Sequence, residues 1–180
     1  MVNKTYVGDI GVREMTQDII MQMHRDNWKP DYVVGLTRGG LVPALYISHY
    51  LNIPMETLKV SLRDGDGGES NLWMAEDAFG YVDAEDRGEP GNFFDESLRK
   101  NILIVDDIND SGATLNWIMQ DWASGCLPDN EGWDSVWGNN VRFAVLFDNL
   151  SSGFTSTINY SATEINKAEK DEWIVFPWEC

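Results

Sequence analysis

Apolar residues occur along this chain in short unbroken runs separated by helically spaced stretches, and that alternation predicts an α/β fold. Tyr32-Val33-Val34-Gly35-Leu36 and Ile102-Leu103-Ile104-Val105 carry no polar residue. Such runs suit strands buried on both faces, as in a parallel sheet. Arg13 to Trp28 places Met15, Ile19, Ile20 and Met23 on one helical face, with Pro30 as a stop. Thr37-Arg38-Gly39-Gly40 reads as a loop. Leu41 to Leu51 reads as a helix that tolerates Pro43 in its first turn. Pro54 precedes a second strand, Glu56 to Leu62. Strand, loop, helix, strand is a βαβ unit. A third strand, Ile102 to Val105, leads to a helix over Thr114 to Ser124. A loop from Cys126 to Asn140 holds Trp133 and Trp137, and Val141 to Phe147 is a fourth strand. The expected fold class is α/β, a parallel sheet flanked by helices. With 180 residues, no internal repeat and no linker, the chain reads as one domain over residues 1–180.

One segment departs from the pattern. Arg63 to Arg99 holds eleven acids against three arginines, with Gly65, Gly67 and Gly68 near its start. It reads as an acidic, flexible hood with a short ordered piece around Asn71 to Phe79. Asp64-Gly65-Asp66 hints at a calcium loop, but Gly68 and Glu69 break that pattern.

Composition narrows the partners. The net charge of −17 repels phosphodiester backbones and anionic lipid, so neither nucleic acid nor membrane is an expected partner. A small anionic ligand would need backbone N–H groups and Mg²⁺ to hold it. No apolar run approaches the ~20 residues of a membrane span, and no signal-peptide pattern opens the chain, so a cytoplasmic location is expected. Cys126 and Cys180 make no disulfide framework or metal cluster. Asn3-Lys4-Thr5, Asn149-Leu150-Ser151 and Asn159-Tyr160-Ser161 match the glycosylation sequon by chance.

The chemistry concentrates in Asn101 to Leu115, NILIVDDINDSGATL. A buried strand runs into Asp106 and Asp107, then Asp110, then Ser111-Gly112-Ala113-Thr114 at a helix start. Small residues at a helix N-terminus present N–H groups and a dipole to a phosphate, without Lys or Arg. The Gly-Lys-Ser/Thr element of a P-loop is absent. Adjacent Asp106 and Asp107 cannot both be buried unpaired. They suit sugar hydroxyls or Mg²⁺. Asp110, beside the phosphate turn, suits proton transfer. An N-cap or a solvated acidic turn would explain each part alone, but not the combination.

Ile102 to Leu115 closely resembles the signature of the type I phosphoribosyltransferase family. The resemblance implies that family's fold, with a hood, and binding of 5-phosphoribosyl 1-diphosphate (PRPP). It implies Asp106 and Asp107 at the ribose hydroxyls and Mg²⁺, Ser111, Gly112, Ala113 and Thr114 at the 5-phosphate, and Asp110 beside the incoming base as proton acceptor. Val33 to Ala44, VVGLTRGGLVPA, is similar to the family's pyrophosphate loop. That likeness implies Thr37, Arg38 and Gly39 at the diphosphate, with a cis peptide at Thr37–Arg38. Arg63 is the candidate to reach the diphosphate from the hood, ahead of Arg87 and Arg99.

The tail, 148–180, narrows the acceptor. Trp173-Ile174 followed by Pro177-Trp178-Glu179 resembles the base-binding end of microbial xanthine-guanine phosphoribosyltransferases. There the aromatic stacks on a purine and the next residue's carbonyl meets its exocyclic group, roles that would fall to Trp173 and Ile174. After the fourth strand the purine enzymes carry a Lys that donates to the 6-oxo group. Asn149 stands there in this chain and offers an uncharged amide. The resemblance therefore implies purine salvage: transfer of phosphoribosyl from PRPP to guanine, xanthine or hypoxanthine with release of diphosphate. Transfer to adenine or a pyrimidine is the first alternative. A non-catalytic PRPP- or nucleotide-sensing regulator is the second. Relatives are commonly dimers or tetramers, so a homo-oligomer is expected, with the Trp133–Trp137 loop as interface material.

Overall fold

The computed structural model describes residues 3–60, 71–83 and 94–179. Arg63 and Arg87 lie outside the described residues, as does about half of the acidic hood. In chain order the elements are β1 (Asn3–Tyr6), α1 (Asp9–Arg25), β2 (Tyr32–Thr37), α2 (Leu41–Leu51), β3 (Met55–Lys59), α3 (Leu72–Phe79), β4 (Ile102–Asn109), α4 (Ala113–Gly125), β5 (Val141–Asn149), β6 (Tyr160–Ile165) and β7 (Glu172–Val175).

Five strands form one parallel sheet in the order β3-β2-β4-β5-β6. The apolar runs explain why. On β2 and β4 every residue of Tyr32–Leu36 and Ile102–Val105 is buried, because helices cover both faces. Tyr32, Val34, Leu36, Ile102, Ile104 and Phe143 face α3 and α4, packing against Phe79, Leu115, Ile118 and Trp122. Val33, Leu103, Val105, Ala144 and Leu146 face α1 and α2, packing against Ile19, Met23, Ala44 and Ile47. Successive side chains of one run thus feed two cores.

The strand order reverses between β2 and β4. The chain leaves β2 toward β3 on one side, while β4 continues toward β5 on the other. Open α/β sheets bind ligands at the carboxyl ends of such a strand pair. Here those ends are Thr37–Gly40 and Asp106–Thr114.

Several expectations shift. Helix α1 starts at Asp9 rather than Arg13 and ends at Arg25, because Asp26 N–H bonds back to Gln22 O at 3.1 Å and Asn27 turns to φ 50°. Strand β3 starts at Met55 rather than Glu56 and ends at Lys59, before Val60; Ser61 and Leu62 of the expected strand lie outside the described residues. Strand β4 continues to Asn109, pairing Asn109 with Asp148, so Asp106 and Asp107 lie on the strand and not in the loop. The short ordered piece expected around Asn71 to Phe79 is α3, whose Met74, Ala75, Ala78 and Phe79 are core residues.

Trp133 and Trp137 are not interface material. Trp133 is 5% exposed and donates its indole N–H to Cys126 O at 2.9 Å. The two rings stack 5.3 Å apart at 17° and close the end of the core below α4. Burial pushes the Cys126 thiol up to about 11, the mark of a core cysteine and not of a nucleophile.

Neither β1 nor β6 was expected, because their residues show no apolar alternation. β1 pairs with β7 as a separate parallel ribbon, aligning Lys4 with Trp173 and Thr5 with Ile174. Thr5 Oγ1 donates to the Glu172 carboxylate, and Val7 N–H donates to Val175 O at 2.9 Å. The first described strand therefore holds the strand that carries Trp173. Among the described residues, no helix is long and apolar enough to cross a membrane.

Candidate active site

Two cavities open at the reversal of strand order and share a wall. One, of about 530 Å³, is lined by Asp110, Ser111, Gly112, Lys167, Trp173 and Ile174 among others. The other, of about 990 Å³, is lined by Thr37, Arg38, Gly39, Lys59 and Trp178 among others. Asp106, Asp107 and Thr114 line both. The two acids therefore stand between a chamber floored by the β4–α4 turn and a chamber floored by the β2–α2 turn.

The β2–α2 turn is built from close backbone approach. The Thr37–Arg38 peptide is cis, as expected. A Cβ on Gly39 would collide with the Asp107 carboxylate, so the turn lies directly against the acid pair. Gly40 N–H bonds to Leu36 O at 2.9 Å and closes the turn. Arg38 is exposed and lines the second chamber.

The β4–α4 turn is a helix N-terminus. Gly112 caps α4 at φ 84°, a left-handed conformation that favours glycine. Ser111 Oγ accepts from Ala113 N–H at 3.2 Å, and the first intrahelical backbone bond runs from Asn116 N–H to Gly112 O at 3.0 Å. The leading N–H groups of such a helix have no intrahelical partner and point toward any ligand at its end. The tail braces this turn. Gly153 N–H donates to Ser111 O at 2.9 Å, Asn116 Nδ2 donates to Gly153 O at 2.9 Å, and a Cβ on Gly112 would collide with the backbone of Phe154. Part of the stretch read as base recognition thus supports the phosphate turn.

Burial, and then the neighbouring Asp107 charge, holds the Asp106 carboxyl well above the usual carboxylate range. Burial also raises Asp107, against hydrogen bonds from Asp106, the Ile108 N–H and Trp178 that lower it. Asp107 N–H donates to Asp106 Oδ1 at 2.9 Å, and Ile108 N–H donates to Asp107 Oδ1 at 2.8 Å. The salt bridges among the described residues leave out both acids. The pair is thus a site that wants positive charge. No group of three or more His, Cys, Asp or Glu side chains forms a metal cage among the described residues.

The base chamber is arranged differently from the sequence expectation. Trp173 is 47% exposed and lines the cavity, and Ile174 beside it is buried. Asn149 does not reach the cavity. It is 5% exposed, and its amide is consumed internally. Its Nδ2 donates to Asp110 O at 2.9 Å, and its Oδ1 accepts from Ser151 Oγ at 2.8 Å and Lys167 N–H at 3.0 Å. The cation at this chamber is Lys167, from the turn between β6 and β7. Its Nζ is 2.9 Å from Asp110 Oδ1 and 5.8 Å from the centre of the Trp173 ring.

Lys167 and Lys59 are the cavity residues that sequence reasoning missed. Lys59 stands opposite Thr37 in the β2–β3 register, a position readable only once the strands are paired. Lys167 lies in a polar stretch, Asn166-Lys167-Ala168-Glu169-Lys170, that carries no motif. Arg99, a lesser candidate for the diphosphate, is committed elsewhere. It donates to Phe79 O at 3.1 Å and Ser135 Oγ at 2.8 Å and lies over the Phe79 and Phe94 rings.

Comparison with known proteins gives this arrangement a context. A family model described as "Phosphoribosyl transferase domain" matches residues 7–180. The xanthine phosphoribosyltransferase 1 of Saccharomyces cerevisiae is 21% identical, covering 98% of this chain and 90% of its own length. A xanthine-guanine phosphoribosyltransferase of Cereibacter sphaeroides is 28% identical, covering 88% of this chain and 83% of its own length. The crystal structure of a purine phosphoribosyltransferase from Pyrococcus horikoshii superposes with a TM-score of 0.62 at 21% identity, covering 98% of this chain and 95% of that one.

Proposed function

The chain belongs to the phosphoribosyl transferase family, and from that premise we propose that it moves the 5-phosphoribosyl group of PRPP to a 6-oxopurine in purine salvage, releasing diphosphate. The observation that carries this reading is the pair of cavities that meet over Asp106 and Asp107. PRPP has a phosphate at each end of a ribose, and the base must enter beside C1. One shared acidic wall between a helix N-terminus and a backbone turn suits that shape. The names of the relatives, xanthine and xanthine-guanine phosphoribosyltransferases, favour a purine acceptor.

The ribose hydroxyls donate to the Asp106 and Asp107 carboxylates. The 5-phosphate takes the N–H groups at the start of α4 and the hydroxyls of Ser111 and Thr114. The diphosphate lies against the Thr37–Gly39 backbone, within reach of Lys59. Asp106 and Asp107, raised and lacking a salt-bridged cation, would hold Mg²⁺. When bound, Mg²⁺ neutralises charge on the leaving diphosphate.

A purine ring nitrogen attacks C1 as the bond from C1 to diphosphate breaks, and positive charge gathers on the sugar. The purine stacks on Trp173, which holds it beside C1. The proton lost from its imidazole ring passes to the Asp110 carboxylate. Such proton transfer contributes a factor of about 10² to 10⁴ in rate. The backbone donors at Thr37–Gly39 stabilise charge as it develops on the diphosphate.

The experiment is to incubate the protein with PRPP, Mg²⁺ and hypoxanthine and to follow nucleotide and diphosphate together. Equimolar nucleoside 5′-monophosphate and diphosphate are expected. Tight PRPP binding without either product, for every base offered, would instead make the protein a sensor of the same fold. Self-association into a dimer or tetramer belongs to the same reading and is read by light scattering.

A further inference from the structure

We propose that Lys167 is the residue that selects the base, and that Asn149 is a positioning residue holding Lys167 and Asp110 together. The inference rests on the reading of the cavity as a purine phosphoribosyltransferase site. It goes beyond that reading by assigning selection to a turn outside both family-like motifs.

Three observations carry it. First, Lys167 is the one Lys or Arg among the described residues lining the Trp173 chamber, where Asp106, Asp107, Asp110 and Glu179 supply negative charge. Second, its ammonium is already aimed. It sits 2.9 Å from Asp110 Oδ1 and 5.8 Å from the Trp173 ring centre, with its side chain 18% exposed. The ammonium lies over the Trp173 ring, so a flat base laid on that face meets it directly. Third, the backbone at Lys167 is pinned. Its N–H donates to Asn149 Oδ1 at 3.0 Å, while Asn149 Nδ2 donates to Asp110 O at 2.9 Å. One buried amide thus ties the loop after β4 to the turn before β7.

The chemistry follows from the donor inventory. An ammonium has three donors and no acceptor. It bonds a 6-oxo oxygen, gains nothing from a 6-amino group, and finds no partner on a purine bare at that position. A charged donor makes a stronger hydrogen bond than the neutral amide of Asn149 would make. Asn149 is instead spent on holding the two reacting groups at fixed separation. Asp110 then takes the proton from the imidazole nitrogen while Lys167, 2.9 Å away, holds the neighbouring 6-oxo oxygen on the same edge of the ring.

The test compares hypoxanthine with unsubstituted purine, which lacks the 6-oxo group and the N1 proton that accompanies it. Turnover is measured with PRPP and Mg²⁺, and binding of inosine 5′-monophosphate against purine riboside 5′-monophosphate is measured without turnover. The wild type is expected to prefer the oxo member of each pair. Lys167→Met is expected to cut that preference by about 10- to 100-fold, with PRPP affinity unchanged. Lys167→Arg is expected to restore part of it. Asn149→Leu is expected to lose part of the preference and to lower kcat for hypoxanthine. A fall in Tm for Asn149→Leu with the preference intact would reduce Asn149 to a structural amide and overturn that half. An unchanged preference in Lys167→Met, with PRPP still bound, overturns the assignment of Lys167. If the wild type binds nucleotides with the oxo preference but turns over no base, the enzymatic reading falls and the Lys167 assignment stands. If it turns over both purines equally well, the enzymatic reading stands and the Lys167 assignment falls.

Discussion

On the proposed reading, the donor half of the site and the acceptor half are assembled by opposite means. Around PRPP, two contiguous turns do nearly everything: Thr37–Gly40 after β2 and Asp106–Thr114 at the end of β4. Both sit on central strands of the main sheet, and the chemistry offered is mostly backbone N–H and two carboxylates. Around the base, the groups come from scattered segments: Asp110 after β4, Asn149 at the end of β5, Lys167 between β6 and β7, and Trp173 on a two-stranded ribbon completed by β1. Backbone donors of a tight turn cannot be removed by a substitution that leaves the turn intact. Side chains on separate segments can be exchanged one at a time. The donor half is therefore built to stay the same, and the acceptor half is where a new specificity can be made.

Substitutions sort the two halves by which kinetic constant they move. The largest effect is expected for Asp110→Asn, which stands at their junction. Turnover should fall by about 10² to 10⁴ while PRPP affinity holds; stopped assays with calorimetry of PRPP binding decide it, and equal loss in both would remove the proton-acceptor role. Next comes Gly39→Ala. The added methyl must displace the Asp107 carboxylate, so kcat/KM should fall by about 10²-fold, with PRPP affinity lost in parallel. Normal activity in this variant would show that the β2–α2 turn does not touch the donor. Trp173→Ala should then raise KM for the base by about 10- to 100-fold, as expected for one lost stacking contact, and leave KM for PRPP alone. A rise in both constants would mean that the halves are not separable.

The smallest expected effect concerns the free protein. The Asp106 carboxyl lies well above its usual range, so the folded state keeps a proton that the unfolded chain gives up. The stability this contributes is fully present below the ordinary carboxylate range and is lost as pH rises through the raised value. Free protein should therefore melt lower at pH 8 than at pH 5. Asp106→Asn should flatten that slope and raise Tm at pH 8 by about 2–4 °C, while PRPP with Mg²⁺ should restore the wild-type Tm. Thermal melts across pH would sink this part if Asp106→Asn melted below wild type at pH 8.

The same contrast governs what could be read from the sequence. A donor half made of contiguous residues leaves a contiguous signature: the buried runs of β2 and β4, the acids, the small residues at a helix start. The cis Thr37–Arg38 peptide follows the likeness of its loop. The acceptor half depends on pairing that no local pattern encodes. β1 is exposed and polar, so nothing in Asn3–Tyr6 announces that it flanks Trp173. Asn149 falls where a base-contacting lysine is expected, yet β5 and the following turn bury it. The cation that enters the chamber comes from a polar turn eighteen positions later. Trp133 and Trp137 read as surface because acids and glycines surround them, but their rings fill the core beneath α4. Charge on a neighbour says little about where an indole points.

The central claim is that this chain transfers phosphoribosyl to a 6-oxopurine. It is tested most directly by diphosphate release from PRPP and Mg²⁺ across a panel of guanine, xanthine, hypoxanthine, adenine, uracil and orotate. kcat/KM for at least one 6-oxopurine is expected to lie about 10²-fold above that for adenine and the pyrimidines. Equal or faster release with adenine or a pyrimidine would contradict it.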